Sequence, residues 1–125
     1  MSQVLILIAE DEARLAAFIE KGLRKSGFDV LVATDGEEAI GVLNQTRVDL
    51  MLLDIGLPVK DGWTVLRETR SQHARISIII VTALSDERDR QRALQQGAND
   101  YLTKPFRFSD LLAKINLHLQ NLGQA

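Results

Sequence analysis

The stretch Leu50-Met51-Leu52-Leu53-Asp54-Ile55-Gly56-Leu57-Pro58 sets the tightest constraint on how this chain folds. Four apolar residues run straight into an aspartate, and a turn follows. An unbroken apolar run bounded by turn signals is the pattern of a strand covered on both faces, which places it at the centre of a parallel sheet. Asp54 then falls at the carboxyl end of that strand, the edge at which open α/β sheets bind ligands.

Val4-Leu5-Ile6-Leu7-Ile8-Ala9 is a second such run, and it ends in Glu10-Asp11-Glu12. Leu15, Phe18, Ile19 and Leu23 then recur at helical spacing, with Gly27 where a left-handed C-terminal cap is expected. The acids lie at that helix's start, where the macrodipole favours negative charge. Residues 30–33 predict a short strand, and Asp35 with Glu38 reads as a capping pair opening a helix through Ala39, Ile40 and Leu43. The central strand covers about 48–54, and beyond the 58–62 loop Val65 and Leu66 mark a third helix ending near 71–74. A fourth apolar run, 76–81, closes with Thr82-Ala83.

Residues 86–96 are helical by their caps, Ser85 or Asp86 before and Gly97 after, yet Ala93 and Leu94 are almost their only apolar members. Tertiary burial supplies most helical stability, so this helix is expected to be weakly anchored. A last short strand, 100–103, leads into Lys104-Pro105. The final helix, about 108–121, is expected to bury Leu111, Leu112, Ile115, Leu119 and Leu122 and to leave Leu117 on the opposite side.

Strand and helix alternate five times, which predicts an α/β fold: a doubly wound, five-stranded parallel sheet with helices on both faces. The flavodoxin-like order 2-1-3-4-5 is one of two common solutions and would bring Asp11 and Asp54 to one rim. At 125 residues the chain is one domain, read as 1–122 with 123–125 as a tail or the start of a linker. It is long enough to bury roughly two-thirds of its unfolded surface. The absence of cysteine excludes disulfides and thiolate metal sites. A formal charge of −2 lacks the basic footprint of a nucleic-acid-binding domain. No apolar run is long enough to span a membrane, and a cytoplasmic protein is expected.

The polar residues beyond the predicted strand ends each have an ordinary structural reading. Glu10 and Asp11 could cap a helix, Asp54 could be a loop residue, Thr82 a strand threonine and Lys104 a lysine snorkelling from an edge. Their convergence on one rim points further. Three crowded carboxylates have raised pKa values unless a cation neutralises them, and hard oxygen ligands without His or Cys favour Mg²⁺. A lysine and a hydroxyl facing such a cluster suit phosphoryl transfer, where cations and donors share the charge on the equatorial oxygens. Asp61-Gly62 reads as turn chemistry, Trp63 as packing, and His73 and His118 as solvated surface positions.

Glu10-Asp11, the run Leu52-Leu53-Asp54-Ile55-Gly56-Leu57-Pro58 with Asp61-Gly62, Val81-Thr82-Ala83, and Gly97 through Phe106 together resemble the receiver domain of two-component response regulators, most closely its OmpR/PhoB-like subfamily. The resemblance spans essentially the whole chain. It implies that Asp54 is the phosphoacceptor, that Asp11 and Asp54 bind Mg²⁺ with the Gly56 carbonyl as a third ligand, and that Glu10 acts through water. Lys104, Thr82 and the Ala83 N–H would contact phosphoryl oxygens, Tyr101 would swing inward as Thr82 moves, and the Lys104–Pro105 bond would be cis. The fourth helix, fifth strand and fifth helix would form the output and dimer surface, with Arg90–Asp110 and Asp100–Lys114 matching two intersubunit pairs. Asn99 and Asn116 stand where a third pair is usual.

The phosphodonor implied is a sensor histidine kinase, and the implied output is transcription control through an attached DNA-binding domain. The alternative is a stand-alone receiver acting as a phosphorelay or protein-interaction module. The domain is not expected to be an enzyme beyond its own phosphorylation and dephosphorylation. An aspartate-nucleophile phosphatase would need a second acid where Gly56 stands, and a flavin-binding module would meet Glu10-Asp11-Glu12 where it needs a phosphate loop.

Overall fold

A computed structural model describes residues 3–123, with side chains described as far as residue 120. The element order is β1 (Leu5–Ala9), α1 (Ala13–Lys25), β2 (Asp29–Ala33), α2 (Gly36–Gln45), β3 (Leu50–Leu53), α3 (Gly62–Gln72), β4 (Ser77–Thr82), α4 (Glu87–Gln95), β5 (Asp100–Thr103) and α5 (Phe108–Gly123). All neighbouring strands are parallel, in the order β2-β1-β3-β4-β5. The apolar runs become strands because the helices cover both faces. Ile6, Ile8, Leu50, Leu52, Ile79 and Val81 point towards α1 and α5, whereas Leu7, Met51, Leu53, Ile78 and Ile80 point towards α2, α3 and α4. Each fully buried leucine or isoleucine contributes about 1.5–3 kcal/mol, so β3, buried along its whole length, is the stiffest support in the molecule.

Local chemistry sets the helix boundaries. Asp35 accepts from the Glu38 N–H at 2.8 Å and Glu38 reaches back to the Thr34 N–H at 3.2 Å, so the expected capping pair forms. Asp61 is more than a turn residue: it caps α3 by accepting from the Thr64 N–H at 2.9 Å. Glu12 occupies the cap position of α1 without a side-chain cap bond, so the acids beyond β1 are free to face the rim. Gly27 and Gly97 adopt the left-handed conformation, with φ of 96° and 109°, after α1 and α4.

Three expectations are corrected. Phe18 is 54% exposed, because Ala16, Ile19 and Leu23 carry the buried stripe of α1 and Phe18 meets only the edge of Phe108, at 6.0 Å between ring centroids. His118 is paired with Asp100 at 2.9 Å, since a position three beyond the buried Ile115 returns towards β5. His73 is half-buried, its Nε2 enclosed rather than solvated. Leu111 and Ile115 are fully buried, Leu112 and Leu119 partly so, and Leu117 is exposed as expected. Leu122, Gln124 and Ala125 fall outside the described side chains. Among the described residues no helix is long and apolar enough to cross a membrane.

α4 buries only Ala93 fully, and its attachment relies on polar contacts. Arg92 lies over the Trp63 ring at 3.8 Å. Arg70 of α3 donates to the carbonyls of Gly97 (3.0 and 2.7 Å), Ala74 (2.9 Å) and Ile76 (2.8 Å), and to Asn99 Oδ1 (3.0 Å). Among the described residues no carboxylate pairs with this guanidinium, which neutralises the carbonyl ends of two helices instead. Arg70→Met keeps the aliphatic stem but removes the donors, and is expected to lower unfolding free energy by about 2 kcal/mol. The readout is a lower urea midpoint at unchanged slope. A wild-type midpoint would mean that water satisfies the carbonyls equally well.

Candidate functional site

Strand register assembles the site. Ala9 of β1 lies beside Leu53 of β3, so Glu10 and Asp54 leave the sheet side by side. The Asp54 N–H donates to the Ala9 carbonyl at 3.1 Å, and the Glu10 N–H to the Ala33 carbonyl at 3.0 Å. Thr82 pairs with Thr103, and the Lys104 N–H donates to the Thr82 carbonyl at 2.8 Å. One lysine thus emerges at the rim that carries the acids.

Lys104 Nζ stands 2.7 Å from Glu10 Oε1 and 3.0 Å from Asp54 Oδ2. Carboxylate oxygens of Glu10, Asp11 and Asp54 all lie within 4.8 Å of one another. Glu10 and Asp54 are buried, while Asp11 is exposed at the mouth. Burial is the main reason the Glu10 carboxyl sits above its ordinary pKa; the Lys104 hydrogen bond opposes it and the charge of Asp54 adds little. Burial also disfavours the Lys104 ammonium, but its bonds to Glu10 and Asp54 outweigh this and hold its pKa above the usual value. Three carboxylates therefore face one ammonium. The hard-oxygen donor set fits a divalent cation such as Mg²⁺, for which charge compensation by Lys104 leaves room.

The remaining residues singled out from sequence are placed as follows. The Gly56 N–H donates to Asp54 Oδ1 at 3.1 Å, orienting the carboxylate. Thr82 is buried at the end of β4, with the Leu84 N–H 3.4 Å from its hydroxyl, and Ala83 is exposed beside it. Tyr101 is already turned inward, 7% exposed, and its hydroxyl donates to the Leu84 carbonyl at 2.7 Å. Burial, followed by the charges of Asp89, Asp54 and Asp86, raises its pKa. Lys104–Pro105 is cis. Val59 has φ of 71°, a conformation that costs a non-glycine residue about 1–2 kcal/mol.

The surface of α4, β5 and α5 differs from the intersubunit pairing that the resemblance implies. Lys114 Nζ bonds Asp100 Oδ1 within the chain at 2.9 Å, and Arg90 bonds Glu87 of its own helix at 3.2 Å; Asp110 is exposed. Asn99 Oδ1 accepts from the Ile78 N–H at 2.8 Å as well as from Arg70. Sequence reasoning missed His118 as a partner of Asp100; its spacing of four from Lys114 was the available signal.

A family model for the response regulator receiver domain matches residues 6–116, and the chain belongs to that family. Among curated relatives, the transcriptional regulatory protein PrrA of Mycobacterium leprae is 37% identical over 123 residues, 98% of this chain and 53% of PrrA. The chain spans about half the length of the curated relatives it matches. Among solved structures, the receiver domain of the Francisella response regulator 1452 superposes with a TM-score of 0.91 at 32% identity, covering 95% of this chain and 98% of that one. The BeF3-activated N-terminal receiver domain of Klebsiella pneumoniae RstA gives 0.88 at 36% identity, covering 92% and 97%. The fold and family are therefore those of two-component signalling.

Burial raises the Asp100 carboxyl, but its bonds to His118, Lys114 and the Tyr101 N–H prevail and hold its pKa below the usual value. A depressed carboxyl stabilises the fold above its unfolded pKa of about 3.9 and loses that contribution as pH falls through the folded value. Urea midpoints taken from pH 6 downwards should therefore show an Asp100→Asn deficit that is full above about pH 5 and shrinks below about pH 4. A deficit independent of pH would refute the role of the charge.

Proposed function

We propose that this domain, residues 1–122, accepts a phosphoryl group on Asp54 from a sensor histidine kinase and signals through the surface of α4, β5 and α5. The observation that carries the reading is the Lys104 ammonium, 2.7 Å from Glu10 and 3.0 Å from Asp54, on a rim where Asp11 completes the acidic cluster. Glu10, Asp11 and Asp54 would hold Mg²⁺, with the Gly56 carbonyl as a further ligand and Glu10 acting through water. When bound, the ion would offset the charge shared by carboxylates and phosphoryl oxygens.

In the transfer, an Asp54 carboxylate oxygen forms a bond to phosphorus as the bond from phosphorus to the donor breaks, and the donor keeps that electron pair. The Gly56 N–H holds Oδ1, which leaves Oδ2, the oxygen now facing Lys104, as the one presented for attack. Lys104 then follows the charge onto the phosphoryl oxygens, and the Thr82 hydroxyl and Ala83 N–H take the others. Water later cleaves the acyl phosphate and restores Asp54, so the domain acts only on itself and is no enzyme towards other substrates.

Moving Thr82 draws on the 84–86 segment, which Tyr101 grips through the Leu84 carbonyl. α4 follows, being the helix with least apolar burial. A phosphorylation-dependent homodimer would use Arg90, Asp100, Asp110 and Lys114. It must first exchange the internal Lys114–Asp100 bond, and partly exposed pairs contribute little each, so it is a weak dimer. The name of the PrrA relatives supports transcription control through an attached DNA-binding domain; this domain, at −2, contacts neither nucleic acid nor membrane. A cytoplasmic location is in keeping with the cysteine-free chain.

With Mg²⁺, beryllofluoride should form a one-to-one adduct and shift the emission of Trp63, the single tryptophan, which packs beneath Arg92. Asp54→Asn should abolish both. An Asp54→Asn protein that still forms the adduct would sink the assignment, and an unmoved emission in the wild-type adduct would remove α4 from the output.

A further inference from the structure

We propose that Gly36, the first residue of α2, is a positioning residue for phosphoryl acceptance: its bare Cα lets α2 clamp the loop that aims Asp54. The proposal rests on the reading of Asp54 as phosphoacceptor. The loop from Ile55 to Asp61 carries the Gly56 N–H that orients the Asp54 carboxylate, so the loop's path decides where that carboxylate points. Its base is fixed by the Gly62 N–H, which donates to the Ile55 carbonyl at 2.8 Å, and by the buried side chains of Ile55 and Leu57.

The crest is different. The Lys60 N–H donates to the Pro58 carbonyl at 2.8 Å across Val59, which is β-branched, 75% exposed and held at φ of 71°. A three-residue turn of this hand is strained and persists only where the surroundings impose it. Two elements grip it. On one side Lys60 Nζ meets both carboxylate oxygens of Glu68 on α3, at 3.1 and 2.9 Å. On the other, the Gly36 N–H donates to the same Pro58 carbonyl at 3.2 Å.

No side chain fits at this second contact. A Cβ on Gly36 would overlap the Lys60 carbonyl oxygen and stand 2.7 Å from the Lys60 carbonyl carbon, a backbone group that cannot swing away. The position is helical rather than left-handed, so alanine is acceptable there in every respect except this approach. α2 cannot easily yield either, because the Asp35–Glu38 capping pair and the fully buried Ala39 fix its first turn. An added methyl group therefore displaces the loop, and with it the Gly56 N–H.

Gly41 supplies the control. It lies on the same helix, and a Cβ there would meet nothing within 4 Å. Gly41→Ala raises helix propensity without touching the loop, so Gly36→Ala/Gly41→Ala offsets any stability lost at position 36. The test measures the rate of Asp54 phosphorylation by a small acyl phosphate with Mg²⁺, together with the amide resonance of Gly56 in the protein without Mg²⁺ or donor. Gly36→Ala and the double variant, matched to wild type for folding by urea unfolding, should phosphorylate about tenfold or more slowly, the scale expected for a displaced reacting group. They should also shift the Gly56 resonance, while Gly41→Ala behaves as wild type. A folded double variant with the wild-type rate and resonance overturns the clamp. Wild-type protein that takes no phosphoryl group, or an Asp54→Asn protein that takes it equally well, overturns the underlying assignment and the clamp with it.

Discussion

One ammonium serves two carboxylates that reach it from different strands, and most of the architecture is a means of holding that arrangement. Lys104 leaves β5, crosses the end of β4 and meets Glu10 and Asp54 beyond β1 and β3. Groups this enclosed are costly to desolvate and keep their charge only when paired. A slip of one residue between β1 and β3 would turn Glu10 or Asp54 away from the rim and push an apolar side chain into solvent. The requirement for a correct register and the requirement for a buried core are therefore the same requirement.

Rigidity is distributed unevenly around this centre. β3 and β4 are buried along their whole lengths, so the base of Asp54 has nowhere to go. α4 is held by one fully buried alanine, an arginine over Trp63, the Arg70 clasp at its carboxyl end and the neighbouring Tyr101–Leu84 bond. Polar contacts of this kind can be exchanged for water at modest net cost, whereas a leucine core cannot. A change of charge at the rim thus has a stiff support beneath it and a soft element beside it, as a two-state switch requires.

Much of this was legible in the chain. Buried strands announce themselves as unbroken apolar runs, and α2 announces its start through Asp35 and Glu38, because both signals are local. The acids and the lysine were recognisable as a group once each was placed at a strand end. Phe18 and His118 were misjudged for one reason: helical periodicity says which residues share a face but not how far the neighbouring element extends over it. Asn99 looked like a missing charge and is instead a bridge between Arg70 and β4.

Sequence by itself determined the alternation of strands and helices, the parallel sheet and the set of groups at its rim, since these follow from the spacing of apolar residues and from the chemistry that ends each run. Tertiary structure alone decided which of the common strand orders is adopted, that Lys104 bridges Glu10 and Asp54, and that Asp100 is satisfied within its own chain. It also decided that Gly36 lies against the loop beside Asp54. Contacts of that kind join residues distant along the chain at separations set by the packing of whole elements, and no local pattern encodes such a distance.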